Sequence, residues 1–595
     1  MKHDGGTIVA ETLFDLNVRH LFTLCGGHIS PILAGCTQKG IDVVDVRHEA
    51  NALFAADATA RLTGIPGVAA VTAGPGVTNT LTAVKNAQLA QSPVVLLGGA
   101  SATVLRGRGS LQDIDQMTLI KPHVKYATTV GRVRDIEPEL RKAFQIAQEG
   151  VPGPVFVELP IDLLYPEATV REWYGIKGSD QAAGSLSKRA IQLYLNFHTQ
   201  QMFKEPGLPQ FASHLAEGLT DSVAQLASKG KSSVLTQRAA QKASLLLGRS
   251  KRPVLVLGSQ STLQTDRIPE LVYSIERLGI PVYLSGMARG LLGKDHPLQL
   301  RHKRKNALKG ADLVILAGVP CDFRLDYGNH ISYKAKLVSV NLSREDLYKN
   351  RMPRIAVQAA PNEFIELLAE KTPSDKMRQA HKEWLSQLKV TDEARNAEIR
   401  KQASETGEHI NPVKLLSKVN ELLPDNSYIV ADGGDFVGTA AYILQPRGPL
   451  RWLDPGVFGT LGVGGGFALG AIKHDPDAEV WLIYGDGSSA FSIAEFDTYV
   501  RHGVGVIALI GNDACWNQIA RDQIDILQTD VGTRLRHTDY HKVAEGFGGV
   551  GLLLDDPKKI TSTLRTAQKL AKQGKPVLIN AILNKSDFRK GSISV

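Results

Sequence analysis

The chain has 595 residues, of which 43% are hydrophobic and 22% are charged. This is the composition of an ordinary globular protein, and at roughly 100–200 residues per domain the length predicts about three or four domains. The formal net charge of +9 is spread along the sequence and forms no long Lys/Arg block. That distribution argues against nucleic-acid binding and mildly favours anionic ligands such as phosphates.

Four scattered cysteines, with no C-x-x-C pair, argue against a zinc site or a disulfide framework and favour a reducing, intracellular compartment. No run reaches the ~18 consecutive apolar residues that a membrane-spanning helix needs, and the first residues do not form a signal peptide. We therefore expect the chain as given to be soluble. Membrane association is expected only if an anchor precedes residue 1.

The first predicted domain, residues 1–170, alternates short apolar runs with helical stretches bounded by glycine. This is the rhythm of a doubly wound parallel sheet. The apolar runs are residues 21–24, 43–46, 68–71, 94–97 and 154–160.

A composition rich in Ser, Gln and Lys marks residues 171–240, which we interpret as a linker with short helices. Within it, residues 191–203 form an apolar helix candidate. Packing against a neighbouring domain and docking to a membrane surface or partner are both open interpretations of this helix.

The α/β rhythm resumes twice in the rest of the chain. A middle α/β domain is predicted over residues 241–375, a charged helical linker over 376–403, and a last α/β domain over 404–595. The fold class is therefore α/β, with three tandem doubly wound parallel-sheet domains.

Acidic residues follow two neighbouring apolar runs of the last domain. Gly485-Asp486-Gly487 comes directly after residues 480–484, and Asn512-Asp513 ends the run that starts at Val504. Because parallel strands end at the same edge of a sheet, we expect these two acidic segments to lie close together there. Their oxygen atoms suit a hard divalent cation that holds a diphosphate, and Ser488 can donate to a phosphate.

A glycine-rich run, residues 459–466, precedes a predicted helix and lets backbone approach a ligand closely. It does not fit the dinucleotide-binding fingerprint, because Phe467 stands where the last glycine is required. A simple packing turn is the alternative interpretation.

Taken together, these motifs resemble the thiamine-diphosphate-dependent superfamily that includes acetolactate synthase, pyruvate oxidase and 2-hydroxyacyl-CoA lyase. The likeness implies three α/β domains in the order pyrimidine-binding, middle and diphosphate-binding. Residues 447–456 and 587–589 are most similar to the 2-hydroxyacyl-CoA lyase branch. The wider likeness runs through the C-terminal motif and residues 47–52, 72–79, 152–155 and 286–292.

The resemblance assigns roles to individual residues. Glu49 matches the carboxylate that contacts N1′ of the cofactor's aminopyrimidine, a role that suits a carboxyl in a largely apolar site. Gln112 and His28 match positions near the reacting carbon, and His28 could relay protons. The implied cofactor-binding residues are Glu49, Gly459, Leu461, Gly485, Asp486, Gly487, Ser488 and Asn512.

The implied metal ligands are Asp486 and one or both of Asn512 and Asp513, at spacings of 26 and 27 residues. Many relatives have Asn-Asn where this chain has Asn512-Asp513, so the second ligand stays open at this point. The implied cofactors are thiamine diphosphate and Mg²⁺. No residue set requires FAD, and we expect it to be absent.

The resemblance favours a lyase that cleaves a 2-hydroxyacyl-CoA to formyl-CoA and an aldehyde shortened by one carbon. Acetolactate synthase chemistry on pyruvate and a non-catalytic cofactor-binding relative are the alternatives. Arg301, Lys303, Arg304 and Lys305 are candidates for holding the acidic coenzyme A moiety or form a solvated basic face. A homodimer or homotetramer is implied, as is endoplasmic reticulum association through an upstream anchor.

Overall fold

The computed structural model describes residues 4–176, 186–204 and 233–591. It contains three six-stranded sheets, and every pair of named strands within them is parallel. The predicted α/β class with three parallel sheets is therefore confirmed. The first sheet belongs to one compact unit, and the second and third sheets belong to another.

The first sheet has the strand order β2-β1-β3-β4-β6-β5. Its strands are β1 His20–Leu24, β2 Asp42–Asp45, β3 Gly67–Val71, β4 Val94–Ala100, β5 Tyr126–Thr129 and β6 Val155–Pro160. Its helices are α1 Gly5–Asp15, α2 Ser30–Gln38, α3 Glu49–Thr63, α4 Pro75–Asn79, α5 Leu81–Ala90, α6 Gln116–Ile120, α7 Ile136–Gln148, α8 Ile161–Leu164, α9 Glu167–Trp173 and α10 Leu186–Phe203.

The second sheet has its first strand, β7, in an interior position, with the later strands added on both sides. Its strands are β7 Pro253–Leu257, β8 Val282–Leu284, β9 Gln299–Leu300, β10 Leu313–Ala317, β11 Lys336–Asn341 and β12 Ile355–Gln358. The helices of this part are α11 Val234–Arg249, α12 Ile268–Leu278, α13 Arg304–Gly310, α14 Arg344–Tyr348, α15 Pro361–Lys371 and α16 Ser374–Ala403.

The third sheet repeats the order of the first, as β14-β13-β15-β16-β18-β17. Its strands are β13 Ser427–Ala431, β14 Trp452–Leu453, β15 Glu479–Gly485, β16 Val506–Asn512, β17 Val550–Leu554 and β18 Val577–Ile582. Its helices are α17 Pro412–Leu422, α18 Asp435–Ile443, α19 Val463–His474, α20 Asp486–Ser489, α21 Glu495–Arg501, α22 Asn517–Leu527, α23 Tyr540–Gly546 and α24 Ile560–Ala571.

The central strands are apolar throughout because helices cover both faces of each sheet. Every residue of β3, β4, β15 and β16 is buried. Such strands have no solvent face and so carry continuous apolar runs, which is why the sequence located them.

Part of the predicted linker, residues 177–185 and 205–232, lies outside the described residues. Between these two segments the predicted apolar helix is present as α10, although it begins at Leu186, before the predicted start. No helix in the described ranges combines the length and the apolarity needed to cross a membrane.

Candidate functional site

The first and third sheets each have a point where the strand order reverses. In the first sheet this point lies between β1 and β3, and in the third it lies between β13 and β15. Loops diverge at such a point and leave a crevice at the carboxyl ends of the strands, where ligands bind in this kind of sheet. His28 follows β1 and Asp486 follows β15, which flank these crevices, whereas Glu49, Gln112 and Asp513 follow the next strands outward, β2, β4 and β16.

At the crevice of the third sheet, the turns after β13 and β15 are hydrogen-bonded to each other. The Gly485 N–H donates to the Gly433 carbonyl at 3.1 Å. Ser488 Oγ lies 3.0 Å from the Gly433 carbonyl and 3.1 Å from the Gly485 carbonyl, and it accepts from Gly485 N–H. The hydroxyl of Ser488 therefore fixes the two turns, and its single proton already has acceptors within the chain.

Asp486 is a buried carboxylate held by backbone N–H groups. It accepts from Gly487 N at 2.8 Å and from Cys515 N at 3.2 Å. Burial raises the pKa of Asp486 to about 6, although these hydrogen bonds oppose the shift. A carboxylate with a raised pKa is stabilised by a bound cation, so its setting suits a metal ligand.

Asp513 lies beside Asp486, as the sequence predicted for the two acidic segments. Strands β15 and β16 are neighbours, with Gly485 opposite Gly511. Burial raises the pKa of Asp513 to about 7, the charges of Asp486 and Asp435 add to the rise, and Lys585 opposes it. A bound cation would offset the repulsion that the charge of Asp486 exerts on an ionised Asp513.

The side chain of Asn512 is fully buried and is bound to the neighbouring strand. Its Nδ2 donates to Asn580 Oδ1 at 3.0 Å and to the Thr538 carbonyl at 3.2 Å. Its Oδ1 is buried and accepts no hydrogen bond from any residue that the structure describes. Asn512 and Asp513 thus differ in setting: the Asn512 amide is bound to Asn580 and Thr538, whereas the charge of Asp486 contributes to the raised pKa of Asp513.

The described residues contain no cluster of three or more His, Cys, Asp or Glu side chains able to hold a metal. A Mg²⁺ bound to a diphosphate needs only one or two carboxylates, since the remaining ligands are phosphate oxygens, backbone carbonyls and water. The donor set at Asp486 and Asp513 therefore fits such a cation.

Two glycines at this crevice have no room for a side chain. A Cβ on Gly487 would lie 2.4 Å from the ring of Trp516, and a Cβ on Gly433 would lie 2.2 Å from Leu461 Cδ2. Leu461, the predicted apolar support of the cofactor, therefore packs over the turn after β13. Gly459 is exposed and has no neighbouring atom within 4 Å of its ideal Cβ position.

Asp432 was not among the predicted site residues. It follows β13 and accepts from the N–H groups of Gly462 and Gly464 at 3.1 and 2.6 Å. Burial raises its pKa to about 7. The glycine-rich run therefore does not all precede the helix: α19 begins at Val463, and Asp432 binds N–H groups at its start. Its position as a polar residue directly after the first strand of the domain could have identified Asp432 as a site residue from the sequence.

In the unit of the first sheet, Glu49 opens α3 and is 6% exposed. Its Oε2 accepts a hydrogen bond from Asn79 Nδ2 at 2.9 Å. Asn79 ends α4, in the T-A-G-P-G-V-T-N segment that carried the family resemblance, but it was not among the predicted site residues.

The other two predicted catalytic residues, His28 and Gln112, are linked by Thr72. His28 Nδ1 lies 3.1 Å from Thr72 Oγ1, which in turn lies 3.3 Å from Gln112 Oε1. A threonine hydroxyl has one proton, and here it is donated to Gln112, so Nδ1–H of His28 donates to Thr72. The lone pair of the neutral ring is then on Nε2. Burial lowers the pKa of His28, which favours this neutral form.

Two of the four basic residues predicted to hold coenzyme A, Arg301 and Arg304, are engaged within the fold. Arg301 donates to the carbonyls of Tyr442, Ile443 and Leu444, at the end of α18. Arg304 donates to the carbonyl of Arg324. The prediction is wrong for these two arginines, because their guanidinium groups serve as internal donors to helix and loop carbonyls. Lys303 and Lys305 are exposed.

Comparison with known proteins defines the class. The chain matches the thiamine pyrophosphate enzyme N-terminal TPP binding domain over residues 3–119, the central domain over 240–368, and the C-terminal TPP binding domain over 432–581. The chain belongs to the thiamine pyrophosphate enzyme family. Its cofactor is therefore thiamine diphosphate.

Within this family the chain is similar to proteins called 2-hydroxyacyl-CoA lyase 2. It is 49% identical to that of Danio rerio over 99% of this chain and 93% of the relative, and 48% identical to that of Homo sapiens over 99% and 92%. It is also 30% identical to a probable acetolactate synthase of Mycobacterium bovis, over 98% of this chain and 96% of that protein.

Proposed function

We propose that this chain is a thiamine-diphosphate- and Mg²⁺-dependent lyase that cleaves a 2-hydroxyacyl-CoA to formyl-CoA and an aldehyde one carbon shorter. The observation that carries the proposal is the 48–49% identity to 2-hydroxyacyl-CoA lyase 2 proteins over nearly the whole chain. Glu49 and the paired carboxylates Asp486 and Asp513 support a catalytic enzyme, since a scaffold needs no activating carboxylate.

The residues at the third sheet fit the diphosphate end of the cofactor. We propose that the turns containing Gly433 and Gly487 receive the diphosphate, that Leu461 supports the cofactor, and that Asp486 holds its Mg²⁺. The packing of Gly433 against Leu461 and of Gly487 against Trp516 supports the proposal only by fixing the positions of the two turns, because a side chain on either glycine would displace its turn. Ser488 keeps the two turns together, and Gly459 stays a proposed contact from the family resemblance.

We propose Asp513, and not Asn512, as the principal second metal ligand. The charge of Asp486 contributes to the raised pKa of Asp513, whereas the Asn512 amide nitrogen is held by Asn580. Asp513→Ala should lower Mg²⁺ affinity by roughly 10- to 100-fold, while Asp513→Asn keeps an oxygen ligand and should lose less. Asn512→Ala should instead lower the melting temperature, because it leaves the buried Asn580 with fewer partners.

Isothermal titration of Mg²⁺ in the presence of thiamine diphosphate, with a thermal melt of each variant, separates these effects. Loss of Mg²⁺ binding in a well-folded Asn512→Ala protein, with Asp513→Ala close to wild type, would reverse the assignment.

We propose that the Glu49 carboxyl donates a proton to the aminopyrimidine ring and later accepts it back. Bound thiamine diphosphate supplies a carbon nucleophile that also accepts the electron pair released when a carbon–carbon bond breaks. Glu49 acts as the acid and base of this activation, and Asn79 orients its carboxylate through the 2.9 Å hydrogen bond.

In the proposed reaction the bond between C1 and C2 of the 2-hydroxyacyl group breaks. The hydroxyl proton leaves, C2 becomes the aldehyde carbonyl, and C1 gains a proton to become formyl-CoA. Neutral His28 is suited to accept the hydroxyl proton at Nε2, since Nδ1–H is engaged by Thr72. Gln112 fixes Thr72 and so fixes the orientation of the imidazole.

We also propose that two copies of the chain build each site, as the resemblance implies, and that the protein works in a reducing compartment. The free state of all four cysteines supports the second point.

A product assay tests the function. The protein is mixed with thiamine diphosphate, Mg²⁺ and either 2-hydroxyhexadecanoyl-CoA or pyruvate, and products are followed by mass spectrometry. Formyl-CoA with pentadecanal is expected. Acetolactate from pyruvate without any cleavage of the thioester would contradict the proposal and favour the acetolactate synthase alternative.

A further inference from the structure

Helix α10 is held in place by a partly buried polar cluster around the buried carboxylate of Asp162. The backbone N and the Oγ1 of Thr103 donate to Asp162 Oδ2 at 2.9 and 2.5 Å, and Tyr174 OH donates to the same oxygen at 2.6 Å. His198 Nε2, on α10, lies 2.7 Å from Thr103 Oγ1. Because that hydroxyl gives its proton to Asp162, the imidazole is the donor to it.

Helix α10 also exposes large apolar side chains, one of which, Tyr194, stacks on His198 at 5.9 Å. Leu193, Tyr194 and Phe197, which we call the α10 face, are 71%, 56% and 61% exposed. Two residues on the inner side, Thr199 and Met202, are buried. These hydrogen bonds fix the position of α10. The exposed side chains of the α10 face therefore also have a defined position.

Helix α10 is structurally connected to two of the three loops that carry predicted catalytic residues of this unit, those of Gln112 and His28. Thr103 lies in the segment between β4 and Gln112. Tyr165 OH donates to the Gly27 carbonyl, next to His28, at 3.3 Å, and the ring of Tyr165 packs against Trp173 at 4.8 Å.

Trp173 is the last residue of α9, and α9 packs against α10. The pair Arg171 and Asn196 joins the two helices at 2.7 Å. Helices α9 and α10 therefore continue the surface of the site loops at the carboxyl edge of the first sheet.

The size and charge of this surface favour one aliphatic chain as its occupant. Three side chains of this size expose on the order of 300 Å², which is well below the ~800 Å² that each partner buries in a stable protein interface. Helix α10 also carries Lys188 and Arg189, and it contains no Asp or Glu. A ligand with an apolar tail and phosphate groups matches both features.

We propose that the α10 face binds the acyl chain of the CoA thioester substrate and makes the enzyme prefer long chains. This inference rests on the proposed lyase function. It adds a binding surface that is separate from the residues proposed to take part in bond cleavage. Leu193, Tyr194 and Phe197 then act on chain-length preference and not on bond cleavage.

The test compares Phe197→Ser and Leu193→Ser with Phe14→Ser as a matched control. Phe14 is also an exposed helical residue of the same unit, at 46%, but it contacts Arg19 near the amino end of β1, at the opposite edge of the sheet. The measurement is kcat/KM with 2-hydroxyhexadecanoyl-CoA and with 2-hydroxybutanoyl-CoA. We expect a fall of roughly tenfold for the long substrate in the α10 variants, little change for the short one, and no change for either in the control.

Equal losses on both substrates, or no loss on either, would overturn the inference. A smaller oligomer in light scattering would assign the face to a second copy of the chain, and lost affinity for anionic vesicles with unchanged kinetics would assign it to a membrane. Calorimetry with hexadecanoyl-CoA and butanoyl-CoA, which lack the 2-hydroxyl group, needs no turnover. If wild type binds both thioesters with equal affinity, the proposed acyl-binding role of the α10 face is wrong, even if the protein is a lyase. If wild type cleaves no 2-hydroxyacyl-CoA, the proposed lyase function is wrong.

Discussion

Glu49 and Asn79 form the residue pair on which activation of the cofactor depends. Glu49→Gln keeps the shape of the side chain but removes the acid and base, so we expect kcat to fall by roughly 10²- to 10⁴-fold while thiamine diphosphate still binds. Asn79→Ala removes a hydrogen bond to a carboxylate, and a loss of about tenfold is expected. Steady-state kinetics and cofactor titration measure both.

Asn426→Ala is the control for Asn79→Ala, because Asn426 is also exposed and its Nδ2 also donates one hydrogen bond, to the Asp477 carbonyl at 2.8 Å. Activity within twofold of wild type in Glu49→Gln would show that this carboxylate does not activate the cofactor.

The carboxylates at the metal site predict a pH dependence. Asp486 and Asp513 have pKa values raised to about 6 and about 7, mainly by burial. Raised carboxylate pKa values stabilise the metal-free fold at low pH, and this contribution is lost as pH rises through these values. Mg²⁺ needs both groups ionised, so its affinity should rise with pH up to about 7, by up to roughly tenfold per pH unit for each proton released.

Melting temperatures with and without Mg²⁺ and thiamine diphosphate, recorded over this pH range, measure the effect. The Mg²⁺-induced shift should grow with pH in wild type and should be much flatter in Asp513→Asn. A shift of constant size in wild type would contradict the proposed ligands.

At the scale of elements, the turn between β15 and α20 depends on contact between Gly487 and Trp516. Gly487→Ala places a methyl group 2.4 Å from the Trp516 ring, so ring and turn must move. Overpacking of this kind costs about 1–3 kcal/mol, and we expect weaker thiamine diphosphate binding with a lower melting temperature.

Gly546→Ala is the control, because its added Cβ meets no atom within 4 Å. Differential scanning calorimetry and cofactor titration of both variants provide the comparison. Equal cofactor affinity in Gly487→Ala and wild type would show that this turn does not receive the diphosphate.

The buried central strands were predictable, and several edge elements were not. β15 and β16 are continuous apolar runs, so the sequence showed both them and the acidic segments that follow them. β5 has four half-buried residues and β14 has only two residues, and neither pattern differs from a loop. Edge strands are exposed on one side and need no apolar run.

The site was predictable where one motif lies next to one strand end, as at Asp486. It was not predictable where contacts join distant segments. The pairs Glu49 with Asn79 and His28 with Thr72 lie 30 and 44 residues apart, and they meet only because the strand order brings their loops together. Likewise, helical periodicity predicted α10 but not that its apolar face is exposed, since the same pattern occurs in buried helices.

At the scale of the whole molecule, Glu49 and Asp486 belong to different compact units. Glu49 lies with the first sheet, and Asp486 lies with the third. If each site is built from the first sheet of one copy and the third sheet of another, a Glu49→Gln chain and an Asp486→Asn chain can complement each other. In a mixed dimer, one of the two sites then contains both native residues.

The most direct test is therefore formyl-CoA production from 2-hydroxyhexadecanoyl-CoA after the two variants are unfolded and refolded together in equal amounts. Each variant refolded alone should be nearly inactive, and random pairing should restore about a quarter of the activity of refolded wild type. No recovery in the mixture, with wild type active and the variants shown to co-assemble, would contradict a site shared between two copies of this chain.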